Sequence, residues 1–310
     1  MKKSLSVAVS AILLLSLSML PLLAAGCAGQ AGVQAKSRPA SYTDDLGRPV
    51  SIEKVPETIV SVSPACTEIL FALGLGDKVA GDTTYCNYPD EAVQKPKIGS
   101  FTTPNLEAII ALKPDLVLAT GGVQADILDR MGELGLTVYA VNAATFDGTV
   151  KDIRDIGEIT GTSDQAQAIA RDMEDRAAAV AREVADSEAA GTARPKVFYE
   201  IFYENNVWTA GSGSVISDLI SKAGGDNIAD VESGDYYEFS VERLIVENPQ
   251  VYLMGSGSMS NPGDINARSG WDRMDAVKNG RLYVVPDDLV YRTGPRLIDG
   301  LEAIHNAIYQ

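Results

Sequence analysis

Two glutamates stand in matched settings among the residues able to do chemistry. Glu107 lies in residues 105–118, Asn-Leu-Glu-Ala-Ile-Ile-Ala-Leu-Lys-Pro-Asp-Leu-Val-Leu, and Glu242 in residues 240–253, Ser-Val-Glu-Arg-Leu-Ile-Val-Glu-Asn-Pro-Gln-Val-Tyr-Leu. Both stretches run in the same order through a small polar residue, an aliphatic, the Glu, two further aliphatics, a Pro and an alternating apolar strand. Asn105 and Ser240 are N-cap residue types, and a carboxylate in the first turn is favoured by the positive end of the helix dipole. Pro114 and Pro249 stop each helix. Each Glu either serves its own helix or, as one of a pair, offers a surface contact. That both copies keep it favours the pair.

Catalytic arrangements are weaker. Glu200 and Glu204 are the kind of acidic pair glycoside hydrolysis needs, but nothing in the sequence sets their separation. There is no Gly-x-Ser-x-Gly elbow, no Cys/His pairing and no phosphate-cradling loop; Gly211-Ser212-Gly213 and Gly255-Ser256-Gly257 read as flexible loops. Binding without turnover is therefore expected, with a secreted hydrolase as the enzymic alternative. The single histidine, His305, is expected on the surface of a helix, and a zinc or manganese carrier would need several such ligands. Cys66 and Cys86 form either a disulfide, which an oxidising exterior permits, or two small buried or cleft-edge thiols.

The elements that position these residues follow from the chain in order. Lys2-Lys3, an apolar run from Leu5 to Leu23, and Ala24-Ala25-Gly26-Cys27 read as an export signal over residues 1–26. The Cys after small residues resembles a lipoprotein processing site, with Cys27 acylated; Ala24 stands where that motif more often has Leu, and ordinary signal cleavage is the alternative. Residues 27–41 are the lipidated Cys and a tether. The formal charge of −16 argues against nucleic acid and against broad adhesion to anionic lipid.

A first α/β lobe is read over residues 42–147, opening with a hairpin-like segment at 45–52. Apolar strands are read at 58–62, 77–81, 116–119 and 137–141, alternating with helices, which implies a mainly parallel sheet. Residues 148–190 read as helix without strands, including a long Ala-rich helix that forms a stiff spine. A second α/β lobe, 191–310, has strands at 196–202, 251–253 and 281–285, a loop holding Trp208-Thr209-Ala210-Gly211, and a closing helix from about residue 295. Ligands of such sheets gather at the carboxyl ends of the strands.

The residues also carry a resemblance. The signal with Cys27, Ser-Pro-Ala-Cys-Thr-Glu-Ile-Leu-Phe-Ala-Leu-Gly, Tyr-Cys-Asn-Tyr-Pro, Asn-Leu-Glu with Leu-Lys-Pro-Asp-Leu-Val, Trp-Thr-Ala-Gly, Ala-Gly-Gly-Asp-Asn-Ile and Tyr-Arg-Thr-Gly-Pro-Arg resemble the solute-binding proteins of ABC importers for cobalamin and ferric siderophores. The resemblance covers residues 42–310 in order. It implies two Rossmann-like lobes joined by one long rigid helix, a ligand cleft between them, and a monomer held outside the membrane by its lipid. It also implies that Glu107 and Glu242 dock onto the transmembrane subunits of a permease, which work with a cytoplasmic ATPase.

By the same resemblance the cleft is lined by Tyr85 and Phe101 from the first lobe and by Trp208, Tyr236, Tyr237 and Arg292 from the second. An aromatic slot with few fixed charges suits a large planar ligand with an amide rim, such as a corrinoid. A catecholate siderophore is strongly anionic and would want several basic residues, of which only Arg292 is a clear candidate. Haem would want His, Met or Tyr ligation; the tyrosines leave it open. No resident cofactor or metal is expected.

Overall fold

The computed structural model describes residues 41–309 other than 233 and 259; Cys27 and most of the tether lie outside the described residues. An antiparallel hairpin of β1 (Ser41–Thr43) and β2 (Pro49–Ser51) opens the first lobe. There follow β3 (Ile59–Ser61), α1 (Pro64–Ala72), β4 (Val79–Gly81), α2 (Asp90–Val93), α3 (Leu106–Ala111), β5 (Leu116–Thr120), α4 (Ala125–Glu133) and β6 (Val138–Val141). The strands form a parallel sheet in the order β4-β3-β5-β6. Both faces are covered, which is why these strands read as unbroken apolar runs. Ile59, Leu116 and Leu118 point into one core, and Val60, Val117 and Ala119 into the other.

Two helices, α5 (Phe146–Thr160) and α6 (Ser163–Ala189), then carry the chain across. The second lobe comprises β7 (Lys196–Tyr203), β8 (Val207–Ala210), α7 (Val215–Lys222), β9 (Asp226–Asn227), β10 (Tyr236–Phe239), α8 (Val241–Glu247), β11 (Val251–Gly255), α9 (Pro262–Ala267), α10 (Asp275–Lys278), β12 (Leu282–Val285) and α11 (Leu297–Tyr309). Its parallel strands repeat the first sheet in register: Ile59 pairs with Leu116 as Val197 pairs with Val251, and Val117 with Val138 as Tyr252 with Leu282. The repeat extends to the backbone. Lys113 and Asn248, each just before the Pro, are the two non-glycine residues with positive φ among the described residues, at 48° and 52°. Asp115 N then donates to Thr58 O, and Gln250 N to Lys196 O, tying each turn to the first parallel strand of its lobe, β3 or β7.

The second lobe departs from expectation in one respect. The Trp208 segment is a strand and not a loop: β8 pairs antiparallel with β7 and with β10, so this sheet is mixed.

α6 is 27 residues, about 40 Å at 1.5 Å per residue. Its buried positions, Ala166, Ala170, Met173, Val180 and Val184, are spaced to form one apolar stripe. One continuous core runs from Ile59 and Leu118 through Ile153, Ala166 and Met173 to Val197 and Leu253. Arg176 fastens α6 to α11 through Glu302 and Asp299, both at 2.6 Å. His305, expected on the surface, is buried on α11, where its ring nitrogens meet Ala223 O at 3.0 Å and the Glu183 carboxylate at 3.1 Å.

α5 and α6 are in close contact at Gly157, where a Cβ would collide with that of Ala166. Gly157→Val is expected to lower stability by about 1–3 kcal/mol through overpacking, read as a reduced urea midpoint. Gly132→Ala, in an open helical position of α4, should be neutral or raise stability by up to ~1 kcal/mol. Equal loss in both would show that the helix contact is not the cause.

Candidate functional site

A cavity of about 690 Å³ opens where the carboxyl ends of the parallel strands of both lobes face each other. The first lobe contributes the start of α1, Tyr85, Phe101 and the segments after β5 and β6. The second contributes the start of α7, Asp235 and Tyr236, and the segment after β12 with Asp288, Tyr291 and Arg292. Ser63 precedes α1 and Ser214 caps α7, accepting from Ser217 N, so the positive ends of two helix dipoles border the space.

Each aromatic is held by its own backbone setting. Thr83 orients the turn bearing Tyr85, accepting from Tyr85 N through its hydroxyl and from Cys86 N through its carbonyl. Gln124, fully buried, donates through Nε2 to Phe101 O at 2.7 Å and to Val62 O at 2.8 Å, fixing the Phe101 loop to the end of β3. Tyr236 begins β10 opposite Ala210 and is 43% exposed, against 57% for Tyr85. Burial and the neighbouring Asp235 push the Tyr236 phenol up to about 12. Burial and Asp287 likewise push Tyr291 up, so both remain neutral phenols near pH 7.

Of the residues expected in the cleft, Tyr85, Phe101, Tyr236 and Arg292 line the cavity, whereas Trp208 and Tyr237 do not. The β8–β10 ladder supplies the reason. Successive side chains on a strand point to opposite faces, so Tyr237 turns away from Tyr236. It packs on the outer core and donates its hydroxyl to Ala229 O. Trp208 pairs with Glu238, on the same face as Tyr236 but two pairs farther along the ladder from the cleft. Its ring stacks on Phe202 with centroids 5.5 Å apart, and its Nε1 donates to Glu238 at 3.2 Å. Tyr291, Asn142 and Asp235 line the cavity without having been singled out. Tyr291 could have been found as the neighbour of Arg292 in the same loop.

Cys66 and Cys86 are free and buried, so the bridge held open above is not made. Cys66 Sγ donates to Ala119 O at 3.4 Å, while Cys86 Sγ lies 3.1 Å from the Thr67 hydroxyl and 3.2 Å from that of Thr83. Burial pushes both thiols up, which makes them inert. Glu107 and Glu242 are exposed in the first turn of α3 and α8, each behind a side-chain cap from Asn105 or Ser240, and neither forms an ion pair among the described residues.

Charge at the cleft is nearly balanced. The charged residues lining it are Asp235, Asp288 and Arg292. Arg292 is engaged, with Nη1 at 2.9 Å from Glu68 and Nη2 at 2.8 Å from Asp288. No group of three or more His, Cys, Asp or Glu among the described residues is arranged to hold a metal ion.

The family of periplasmic binding proteins matches residues 59–289. An uncharacterized ABC transporter substrate-binding lipoprotein of Bacillus subtilis, YvrC, is 34% identical over 96% of each chain. The crystal structure of the periplasmic vitamin B12 binding protein BtuF of Vibrio cholerae superposes with a TM-score of 0.71 at 27% identity, covering 82% of this chain and 97% of that one. The periplasmic heme-binding protein RhuT of Roseiflexus, in apo form, does so with a TM-score of 0.70 at 26% identity, covering 82% and 98%.

One cleft wall rests on a titrating pair. Asp45 accepts from Asn142 N at 2.8 Å, and Asp152 lies beside it, 1% exposed. Burial and the Asp45 carboxylate push Asp152 up to about 9. The folded protein therefore keeps a proton that the unfolded chain releases near pH 4. That contribution to stability is whole below the unfolded value and is lost as pH rises towards 9, at up to ~1.4 kcal/mol per pH unit for one proton. Asp152→Asn should flatten the decline in urea midpoint between pH 5 and pH 8. An unchanged slope would place the titration elsewhere.

Proposed function

This chain belongs to the periplasmic binding protein family as a substrate-binding component of an ABC importer, not an enzyme, and we propose that its cargo is a corrinoid. The observation that carries this reading is a cleft walled by Tyr85, Phe101, Tyr236 and Tyr291 whose one lining cation is already paired. Aromatic faces offer area to a planar macrocycle, and the phenol tips of Tyr85 and Tyr236 offer donors to a rim of amides. A tricatecholate ferric complex would bring several negative charges to a wall that already carries Asp235 and Asp288. Haem would bring two propionates to the same wall, and drawing a phenolate from Tyr236 or Tyr291 would work against the burial that disfavours their ionisation.

The remaining assignments follow from the same role. Cys27 is the lipidated residue that anchors the protein outside the membrane, a reading supported by the lipoprotein name of the Bacillus subtilis relative. Glu107 and Glu242 are the contacts to the two permease subunits. Singly such exposed charges contribute little, but a pair at a separation set by the fold fixes orientation.

Isothermal titration of the soluble fragment, residues 40–310, with cyanocobalamin, haem and ferric siderophores tests the cargo. Cyanocobalamin is expected to bind, and Tyr236→Ala to weaken it by roughly tenfold or more, the loss of one well-packed aromatic contact. Trp208→Ala should change affinity less than twofold. Binding of haem or a siderophore in place of cyanocobalamin would overturn the corrinoid reading.

Docking is tested separately. Glu107→Arg with Glu242→Arg should abolish uptake in cells while ligand affinity stays as in the unaltered protein. A parallel fall in affinity would assign these residues to the fold instead.

A further inference from the structure

The geometry points to Glu68, which lies behind the cavity lining, as a residue that sets the specificity of the cleft through Arg292: the Glu68 carboxylate occupies the guanidinium groups of Arg292 and Arg296 and so keeps anionic ligands out. The inference rests on the cleft assigned above as the ligand site, but not on which ligand is native.

Glu68 projects from α1 in the first lobe, with its side chain 2% exposed. Both arginines come from the segment between β12 and α11 of the second lobe. Arg292 Nη1 lies 2.9 Å from Glu68 Oε1, while Arg296 donates through Nε at 2.8 Å to Oε2 and through Nη2 at 2.6 Å to Oε1. A carboxylate so far from water persists only when paired and hydrogen-bonded, and here both oxygens are engaged. Arg296 lies over the Tyr88 ring, 3.9 Å from its centroid. Arg292 reaches Asn87 Oδ1 at 2.7 Å and the Tyr85 carbonyl at 3.4 Å. Asp288, 42% exposed, completes the group.

Two carboxylates and two guanidinium groups cancel. Arg292 therefore lines the cavity as a member of a neutral cluster and not as a free cation. Removing the Glu68 charge would leave this cluster with one net positive charge, and would make the charge around the cleft, Asp235 included, one unit more positive. At ligand distance, in a partly water-filled site, one unit charge is worth about tenfold in affinity for a singly charged group, and salt screens it.

The test compares the unaltered protein with Glu68→Gln, a near-isosteric change that keeps an acceptor for the arginines. The probes are cyanocobalamin, its monocarboxylate, in which one rim amide is replaced by a carboxylate, and ferric protoporphyrin IX. Glu68→Gln is expected to bind at least one anionic probe about tenfold more tightly than the unaltered protein does. That gain should shrink at high salt and revert in Glu68→Gln/Arg296→Gln, where the charge sum returns to zero. No gain for either anion, or a gain that survives the second substitution, would overturn the assignment. If Glu68→Gln does not fold, Asp288→Asn removes the other carboxylate on Arg292 and should shift anion affinity in the same direction; no shift there would overturn it equally. Cyanocobalamin binding by the unaltered protein judges the cargo alone, so the two readings fail independently.

Discussion

The cleft depends on the packing of α5 and α6 against α1, α7 and α11, the helices that join them to the cores of the two lobes. A parallel sheet places ligand-facing loops at the carboxyl ends of its strands, and two such sheets make a single site only if those ends are held facing each other. Here the holding is done by buried apolar surface. The stripe from Ala166 to Val184 on α6, the closing helix α11 and residues from both sheets form one continuous apolar cluster. Bending between the lobes would expose that core to water, at roughly 25 cal/mol for each Å² uncovered. Ligand capture by large hinge closure is thus disfavoured by the same contacts that create the site.

Polar contacts refine what the core imposes. Arg292 and Arg296 cross from the second lobe to Glu68 of the first, and Arg292 also grips the turn that presents Tyr85. Because Glu68 is almost fully buried, breaking this group is far more costly than breaking a surface ion pair. The cluster thereby fixes both the position of an aromatic wall and the electrostatic character of the cleft.

The elements legible in the sequence were those whose signal is local. Strands β3, β5 and β11 are buried on both faces and read as apolar runs; the long helix shows its stripe directly. The β8–β10 pairing was not legible because its strands are separated by α7 and β9, while the tight turn at 204–206 that joins β8 to β7 was read as part of a loop. The register then decided which aromatics reach the cleft, removing Trp208 and Tyr237 and leaving Tyr236. His305 misled for another reason: Leu301 and Ile304 place it beside the apolar stripe of α11, yet a solitary polar residue invites a surface reading. The Glu68 cluster joins residues more than 220 positions apart, and no spacing rule reveals such a contact.

The internal repeat carries the two glutamates proposed to dock. Both copies keep the capped helix start, the exposed Glu, a left-handed residue before the Pro and the hydrogen bond back to the first parallel strand. A left-handed conformation at Lys113 and Asn248 costs roughly 1 kcal/mol or more each, and it persists because the following strand must enter its sheet in a fixed register. The direction of each short helix is thus set by its strand, and the strands by the shared core. The separation of Glu107 and Glu242 is therefore a property of the folded scaffold, not of two adaptable loops. A rigid pair of like charges in nearly equivalent settings is complementary to a receptor that presents two equivalent cationic pockets at the same spacing.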